Sequence, residues 1–384
     1  MSRIFSNVAD LKEGARSRVP KPFFDWVENT AYDGITYRRN RADLDAIELR
    51  QRVMRDVSGR STASTMLGQA VTMPVALAPT GLCGGVWPNG EILACRAAQR
   101  FGVPFTQSTN SVLRIEDIAS AVEQPFWFQL YITKDRLFSE HLIERAKEAK
   151  CPVLILTMDL HVEGKRHRDE KNGIGVPPRL TPGNVWSVIS HPRWAFAMLG
   201  SKRWSFGNYS ELVSPLKFRE MAIKVKAQMD ASFNATTLEW VRSKWPGKLI
   251  VKGILDPRDA VMAADAGADA VLVSNHGGRQ LDGTCSSVAA LPAVCEAVAD
   301  RLEVYVDSGI RSGIDVLRML GLGAKGCFIG RAYLYGLGAD GEAGVTKALE
   351  LIQEELSVAM ALTGVTDLQK LPSDLLIRPT TGAA

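Results

Sequence analysis

The stretch "AVLVSNHG" (271–278) is an apolar run that stops dead at serine, asparagine, histidine and glycine. Short, β-rich and apolar on both faces, such a run reads as a buried parallel strand whose carboxyl end opens into a polar loop. Working outward, seven more segments share this build: "MPVALAP" (73–79), "VPFTQST" (103–109), "FWFQLY" (126–131), "PVLILTMD" (152–159), "KLIVKGI" (248–254), "VYVDSGI" (304–310) and "GCFIG" (326–330). Amphipathic helix patterns lie between them at 91–101, 135–149, 256–267 and 312–323, and a long one follows at 345–364. Eight strand-then-helix units over roughly 290 residues predict an α/β fold, a (β/α)8 TIM barrel with one insertion. A doubly wound sheet is the alternative; it rarely needs eight parallel strands, and no GxGxxG follows the first one.

The remaining segments fit around that barrel. Residues 1–70 hold helical fragments near 7–15 and 20–30 and a polar stretch at 38–51, which places them as a cap within a single domain spanning 1–384. The insertion, 160–235, follows the fourth strand, and a connection this long is functional or mobile. With 384 residues, 46% of them hydrophobic, the chain can bury a large core. A net charge of +4 without any basic block argues against nucleic acid as a partner. Six cysteines without CxxC spacing read as reduced core residues, and no metal site is expected. The N-terminus lacks an apolar leader and no run is long enough to span a bilayer, so a cytoplasmic protein is expected.

Chemistry in such a barrel collects where strands end. The strand-end side chains are Thr80, Ser108, Gln129 and Tyr131, Thr157 and Asp159, Lys252, Ser274 and His276 with Arg279, Asp307 with Arg311, and Arg331. Two adjacent loops, "DSGIRSG" (307–313) and "IGRA" (329–332), combine Gly309 and Gly330 with Arg311 and Arg331, as a phosphate site requires; the bland alternative is that they only close the barrel. Ser108, Gln129 and Thr157 suit the polar edge of a planar cofactor, or are interior polar groups satisfied by neighbours. Lys252, ending a strand this apolar, needs a partner. Of five histidines only His276 ends a strand beside glycines, where an imidazole can meet a ligand and take a proton; a satisfied structural histidine is the competing reading.

"SNHGGRQLD", "VKGI", "WFQLY", "APTG", "DSGIRSG" and "IGRA" together resemble the FMN-dependent L-2-hydroxy acid dehydrogenase and oxidase family, in order and over nearly the whole chain. "TGLCGGVWPNG" and "RAYLYGLGADGEAGV" are most similar to its membrane-associated lactate and mandelate dehydrogenase branch. The resemblance implies His276 as the catalytic base, Arg279 gripping a substrate carboxylate with help from Arg166, Tyr131 bonding substrate, and Asp169 as the acid paired with the histidine. It implies FMN contacts at Thr80, Ser108, Gln129, Thr157, Lys252, Ser274, Asp307, Gly309, Arg311, Gly330 and Arg331, with Lys252 stabilising the reduced flavin. Phe24 stands where many members carry a substrate-binding tyrosine, Asn29-Thr30 replaces a glycine pair, and Ser308 replaces a glycine with little consequence expected. Gly81, where oxidases carry alanine, is associated with dehydrogenases.

The function so implied is oxidation of an L-2-hydroxy acid, L-lactate first, to the 2-oxo acid, with electrons passed to a quinone or another non-oxygen acceptor. Alternatives are an oxygen-using oxidase that makes peroxide and a non-catalytic flavin-binding protein. Within the insertion, 184–209 holds three of the eight tryptophans beside Arg193, Lys202 and Arg203; it suits peripheral contact with the inner face of the cell membrane, or packing on the barrel or on a second subunit. A homotetramer is the implied assembly.

Overall fold

The computed structural model describes residues 4–173, 181–201, 206–210 and 218–377, and within them eight parallel strands close into one barrel. The barrel strands are β1 (Val75–Thr80), β2 (Phe105–Ser108), β3 (Trp127–Leu130), β4 (Val153–Thr157), β5 (Lys248–Ile254), β6 (Ala270–Val273), β7 (Glu303–Val306) and β8 (Gly326–Ile329). They pair in sequence order, and β8 returns to β1, so no strand edge is left open. All eight expected strands are present, with ends trimmed by up to a few residues where "strand" letters were in fact loop.

Side chains alternate along each strand, and the alternation divides the core in two. Ala76, Trp127, Ile155, Ile250, Leu272, Tyr305 and Phe328 point into the bore and fill it. Their neighbours, among them Leu77, Phe128, Leu154, Val251, Val271 and Val306, face outward to the helices. A hairpin pairing Ser64–Met66 with Gln69–Val71 shuts the amino end of the bore, where the Leu67 N–H donates to the Tyr305 hydroxyl at 2.9 Å. The barrel is therefore packed and floored, and among the described residues its open end is the carboxyl end.

Three helices, Val8–Arg18, Lys21–Glu28 and Ile35–Asp45, form the cap. Asn7 starts the first by accepting from the Asp10 N–H. The polar stretch at 38–51 is the rest of the third helix followed by Glu48–Leu49, a short strand paired with Leu376–Ile377. The last helix begins earlier than its pattern suggests, at Arg331, and runs to Thr363 with a non-helical break at Asp340–Gly341. Gly336 and Gly338 disguise its first half as a loop, but Tyr333, Leu334 and Leu337 are buried there, and burial outweighs weak helix propensity. Ser287–Val298 was hidden by its internal Pro292; Ser286 caps it by accepting from the Ala289 N–H.

The insertion carries the helices His167–Lys171, Pro182–Ile189, Pro192–Leu199 and Phe218–Ala227 and a short turn at Gly207–Tyr209. Among the described residues no helix is long and apolar enough to cross a membrane. Gly313, at the start of the helix after β7, packs directly on the last helix: a Cβ there would fall 2.0 Å from the Leu356 N and 2.3 Å from the Ile352 carbonyl oxygen. Gly313→Ala should therefore destabilise the protein by about 1–3 kcal/mol or more. A urea unfolding midpoint equal to that of the parent would contradict this close approach.

Candidate active site

At the carboxyl ends of the strands lies a cavity of about 770 Å³, walled by the strand-end loops, the cap and the insertion. One wall is made by the loop after β6. His276, Gly277 and Gly278 all take positive φ (58, 67 and 72°), which turns the chain sharply and lets the imidazole face the cavity. For a histidine this backbone is strained, and such strain is kept where surrounding contacts hold it. Here the His276 N–H donates to Ser274 Oγ at 3.0 Å, and the Gly278 N–H donates to the Asn275 side-chain oxygen.

The imidazole is gripped through Nδ1, which lies 3.0 and 3.1 Å from the two carboxylate oxygens of Asp159. Its Nε2 is 3.5 Å from the Tyr131 hydroxyl and free to take a proton from a ligand. The acid beside the histidine is thus Asp159, two residues beyond β4, and the pairing expected of Asp169 is corrected. Gly253 is the reason: with φ +102° and no side chain, it admits Asp159, whose Cβ would lie 2.6 Å from a Cβ at 253. Burial lowers the His276 pKa below its ordinary value, Lys252 adds to this, and Asp159 opposes it. Burial pushes the Asp159 carboxyl up, but His276 and Lys252 outweigh it and hold the acid below its usual range. Burial thus favours the neutral ring, with the Asp159 carboxylate behind its Nδ1.

Opposite stand the arginines. Arg279 Nη1 donates to the carbonyls of Trp26 (2.8 Å) and Asn29 (3.2 Å), and its guanidinium lies 5.1 Å from the Trp26 ring centre. Arg166 lies beside it, Nε to the Arg279 carbonyl at 3.4 Å, and approaches Asp169 Oδ2 at 3.9 Å. Asp169 thus belongs to the arginine side of the cavity, where burial pushes its carboxyl up against the pull of Arg279 and Arg166. Phe24 does not reach the cavity: it is 5% exposed, packed in the core with the Arg16 guanidinium over its ring. The cap residues that line the site are Trp26 and Val27. In the helix "KPFFDWVE" three aromatics compete for the inward face.

The third wall is polar and nearly closed upon itself. Ser108 Oγ donates to Gln129 Oε1 and Gln129 Nε2 to Thr157 Oγ1, both at 3.0 Å, across neighbouring strands. Ser108 and Thr157 line the cavity, and Gln129 braces them from behind. Lys252, 4% exposed, donates to Ser274 Oγ at 2.9 Å and lies 3.6 Å from Asp307. Thr80 bonds to the Tyr333 hydroxyl. Ser308, expected to matter little, takes φ +77°, accepts from the Gly277 N–H at 3.1 Å and donates to Asp307 at 2.7 Å, tying the β7 loop to the histidine loop. Gly309 and Gly330 border the cavity, and the last helix starts there without any side-chain cap. Its free first-turn N–H groups and positive dipole end suit a phosphate. Arg311 lines this corner, whereas the Arg331 guanidinium is taken up by the carbonyls of Val27, Gly277 and Asn29.

The chain is similar to known proteins over nearly its whole length. The family model described as FMN-dependent dehydrogenase matches residues 15–378. An L-lactate dehydrogenase of Azorhizobium caulinodans is 47% identical over 97% of this chain and 99% of its own length. One of Xanthomonas campestris pv. campestris is 45% identical over 99% of both chains. Among solved structures, the monotopic membrane protein (S)-mandelate dehydrogenase superposes with a TM-score of 0.92 at 36% identity, covering 98% of this chain and 100% of that one. A mandelate oxidase with (S)-2-phenylpropionate gives 0.80 at 32% identity, over 97% and 98%.

The Asp159–His276 contact has a signed consequence. Asp159 raises the imidazole pKa, so Asp159→Asn should move the His276 titration midpoint to lower pH, followed by NMR of the ring. An upward move would rule out the pairing.

Proposed function

The chain belongs to the FMN-dependent dehydrogenase family, and from this premise we propose that it oxidises an L-2-hydroxy acid, L-lactate first, to the 2-oxo acid, passing the electrons to a membrane quinone. The single observation that carries the chemistry is the imidazole of His276, held by Asp159 on one nitrogen and open to the cavity on the other, opposite two arginines.

The residues present fit FMN. The uncapped helix start at Gly330, the backbone at Gly309 and the Arg311 side chain would hold its phosphate, and Ser108, Thr157 and Lys252, braced by Gln129, Ser274 and Asp307, would meet the polar edge of its ring. Bound FMN supplies the two-electron acceptor. Arg279 and Arg166 take the substrate carboxylate, Arg279 by its planar fork. Tyr131 donates toward the C2 oxygen, and His276 Nε2 takes the proton of the C2 hydroxyl. The imidazolium so formed is stabilised by Asp159 through Nδ1–H. Asp169 positions Arg166 and Arg279. A neutral base is required, so activity should fall as pH drops through the lowered His276 pKa.

For the acceptor, support comes from the insertion. Trp186, Ile189, Phe196 and Leu199 are each more than 60% exposed on the paired helices Pro182–Ile189 and Pro192–Leu199, while Trp194 anchors the pair, its Nε1 donating to the Val86 carbonyl and its ring against Phe23. Lys202, Arg203 and Trp204 lie outside the described residues. An apolar face of this kind, rimmed by polar residues, suits a bilayer surface. Gly81 has Asn110 crowded against it, a Cβ there meeting the Asn110 carbonyl oxygen at 3.0 Å, which leaves the acceptor side of the cavity without a methyl group.

Two experiments test this reading. In anaerobic stopped flow, L-lactate, L-mandelate or glycolate should bleach the flavin of the FMN-loaded protein. His276→Ala should keep FMN and lose the rate by a factor of about 10² to 10⁴. Fast recovery in oxygen instead of quinone would identify an oxidase, and no bleaching by any acid would refute the activity. The double variant Trp186→Glu/Phe196→Glu should no longer co-sediment with anionic liposomes that retain the parent; equal binding would exclude this face as the membrane contact.

A further inference from the structure

One part of the cavity wall is left unused by this chemistry. The turn Gly207–Tyr209 is welded to the barrel although it lies inside the insertion. The Gly207 N–H donates to the Ser111 carbonyl at 3.0 Å. Asn208, fully buried, accepts from the Ile115 N–H at 3.0 Å, donates to the Thr109 carbonyl at 3.2 Å, and its own carbonyl accepts from Arg145. Arg145 is in turn fixed by Glu116 at 2.6 and 2.9 Å. A Cβ at 207 would meet the Val112 carbonyl oxygen at 2.5 Å, so the turn seats only a glycine there.

This anchorage delivers Tyr209 to the cavity. Its ring packs against Phe138, centroids 5.3 Å apart, and lies edge-on to Phe206 at 6.3 Å. The residue is 3% exposed, it lines the cavity, and its hydroxyl makes no hydrogen bond among the described residues. Its anchors Thr109, Ser111 and Ile115 follow β2, whereas Arg279 follows β6, four strands round the closed barrel. Tyr209 therefore stands across the cavity mouth from Arg279, and burial pushes its hydroxyl up. A substrate whose carboxylate lies on the arginines and whose C2 oxygen lies between His276 and Tyr131 must send its remaining substituent to the other side. The wall there is mostly apolar, with Ile132, Phe206, Val225, Met229 and Phe233, interrupted by Thr133, Lys226 and Gln228.

We propose that the Tyr209 hydroxyl is a specificity-determining group that bonds an oxygen on the side chain of 2-hydroxy acids larger than lactate, so that among such acids this enzyme favours a largely apolar substituent bearing one hydroxyl or carbonyl over its purely apolar counterpart. This rests on the 2-hydroxy acid reading above. A phenol of this kind gains a partner from an oxygen-bearing side chain that a purely apolar side chain of the same size does not supply.

The test compares a matched pair, benzoylformate and 4-hydroxybenzoylformate, titrated calorimetrically into the FMN-loaded protein, alongside flavin reduction by L-mandelate and L-4-hydroxymandelate. The parent should bind the hydroxylated acid about tenfold more tightly, and Tyr209→Phe should bring the ratio close to one. A parent without preference, or a ratio unchanged in Tyr209→Phe, overturns the assignment. Binding is read without turnover: if none of these acids reduces the flavin, the proposed activity fails while the binding ratio still decides on Tyr209.

Discussion

Burying positive charge is the constraint around which this molecule is arranged. Burial lowers the pKa of both Arg279 and Arg331, the former half-buried and the latter nearly withdrawn from solvent, and among the described residues neither has a carboxylate in bonding contact. What meets them is backbone: the carbonyls of Trp26, Val27, Asn29 and Gly277. A buried guanidinium left without acceptors is strongly destabilising, so the turn at 26–29 has to sit where it does. The cap is thus the polar cushion that allows a cationic mouth to exist, and cap and barrel order each other. Tyr37 contributes its ring, 4.8 Å from the Arg331 guanidinium. Anionic ligands complete what the carbonyls only begin.

The barrel was legible because each strand is a short apolar run with a polar end, and closure needs nothing further. Most of the site was legible for the same reason: strand ends in a barrel converge, so Ser108, Thr157, Lys252, Ser274 and Asp307 meet without any instruction beyond their positions. Beyond the strand ends this logic weakens. Asp159 and Asp169 both follow β4, and only the space opened by Gly253, from the next strand, decides which one reaches His276. The glycine in "VKGI" was the available signal. Phe24 and Trp26 share one helix, and which of them turns to the site depends on the arginines that the end of this helix must cover. Tyr209 had no local signal, since its place depends on Asn208 finding donors some ninety residues away in sequence.

The same division separates rigid from variable parts of the site. Proton handling and anion binding come from strand ends and from loops strained into left-handed backbone at His276 and Ser308, where substitution is narrowly limited. The wall facing the substrate side chain comes from the insertion, docked on the barrel through a few hydrogen bonds. Chemistry and selectivity therefore rest on different segments of chain, and one can change while the other stays.

The hairpin that floors the barrel also bears on the proton's route. With Trp127, Tyr305 and Phe328 filling the bore and Leu67 sealing its end, no water file connects His276 to the far side of the molecule. On the proposed reading, a proton taken up at Nε2 returns to water on the cavity side, the side from which substrate enters, and the packed bore leaves the opposite end of the barrel out of the proton's route.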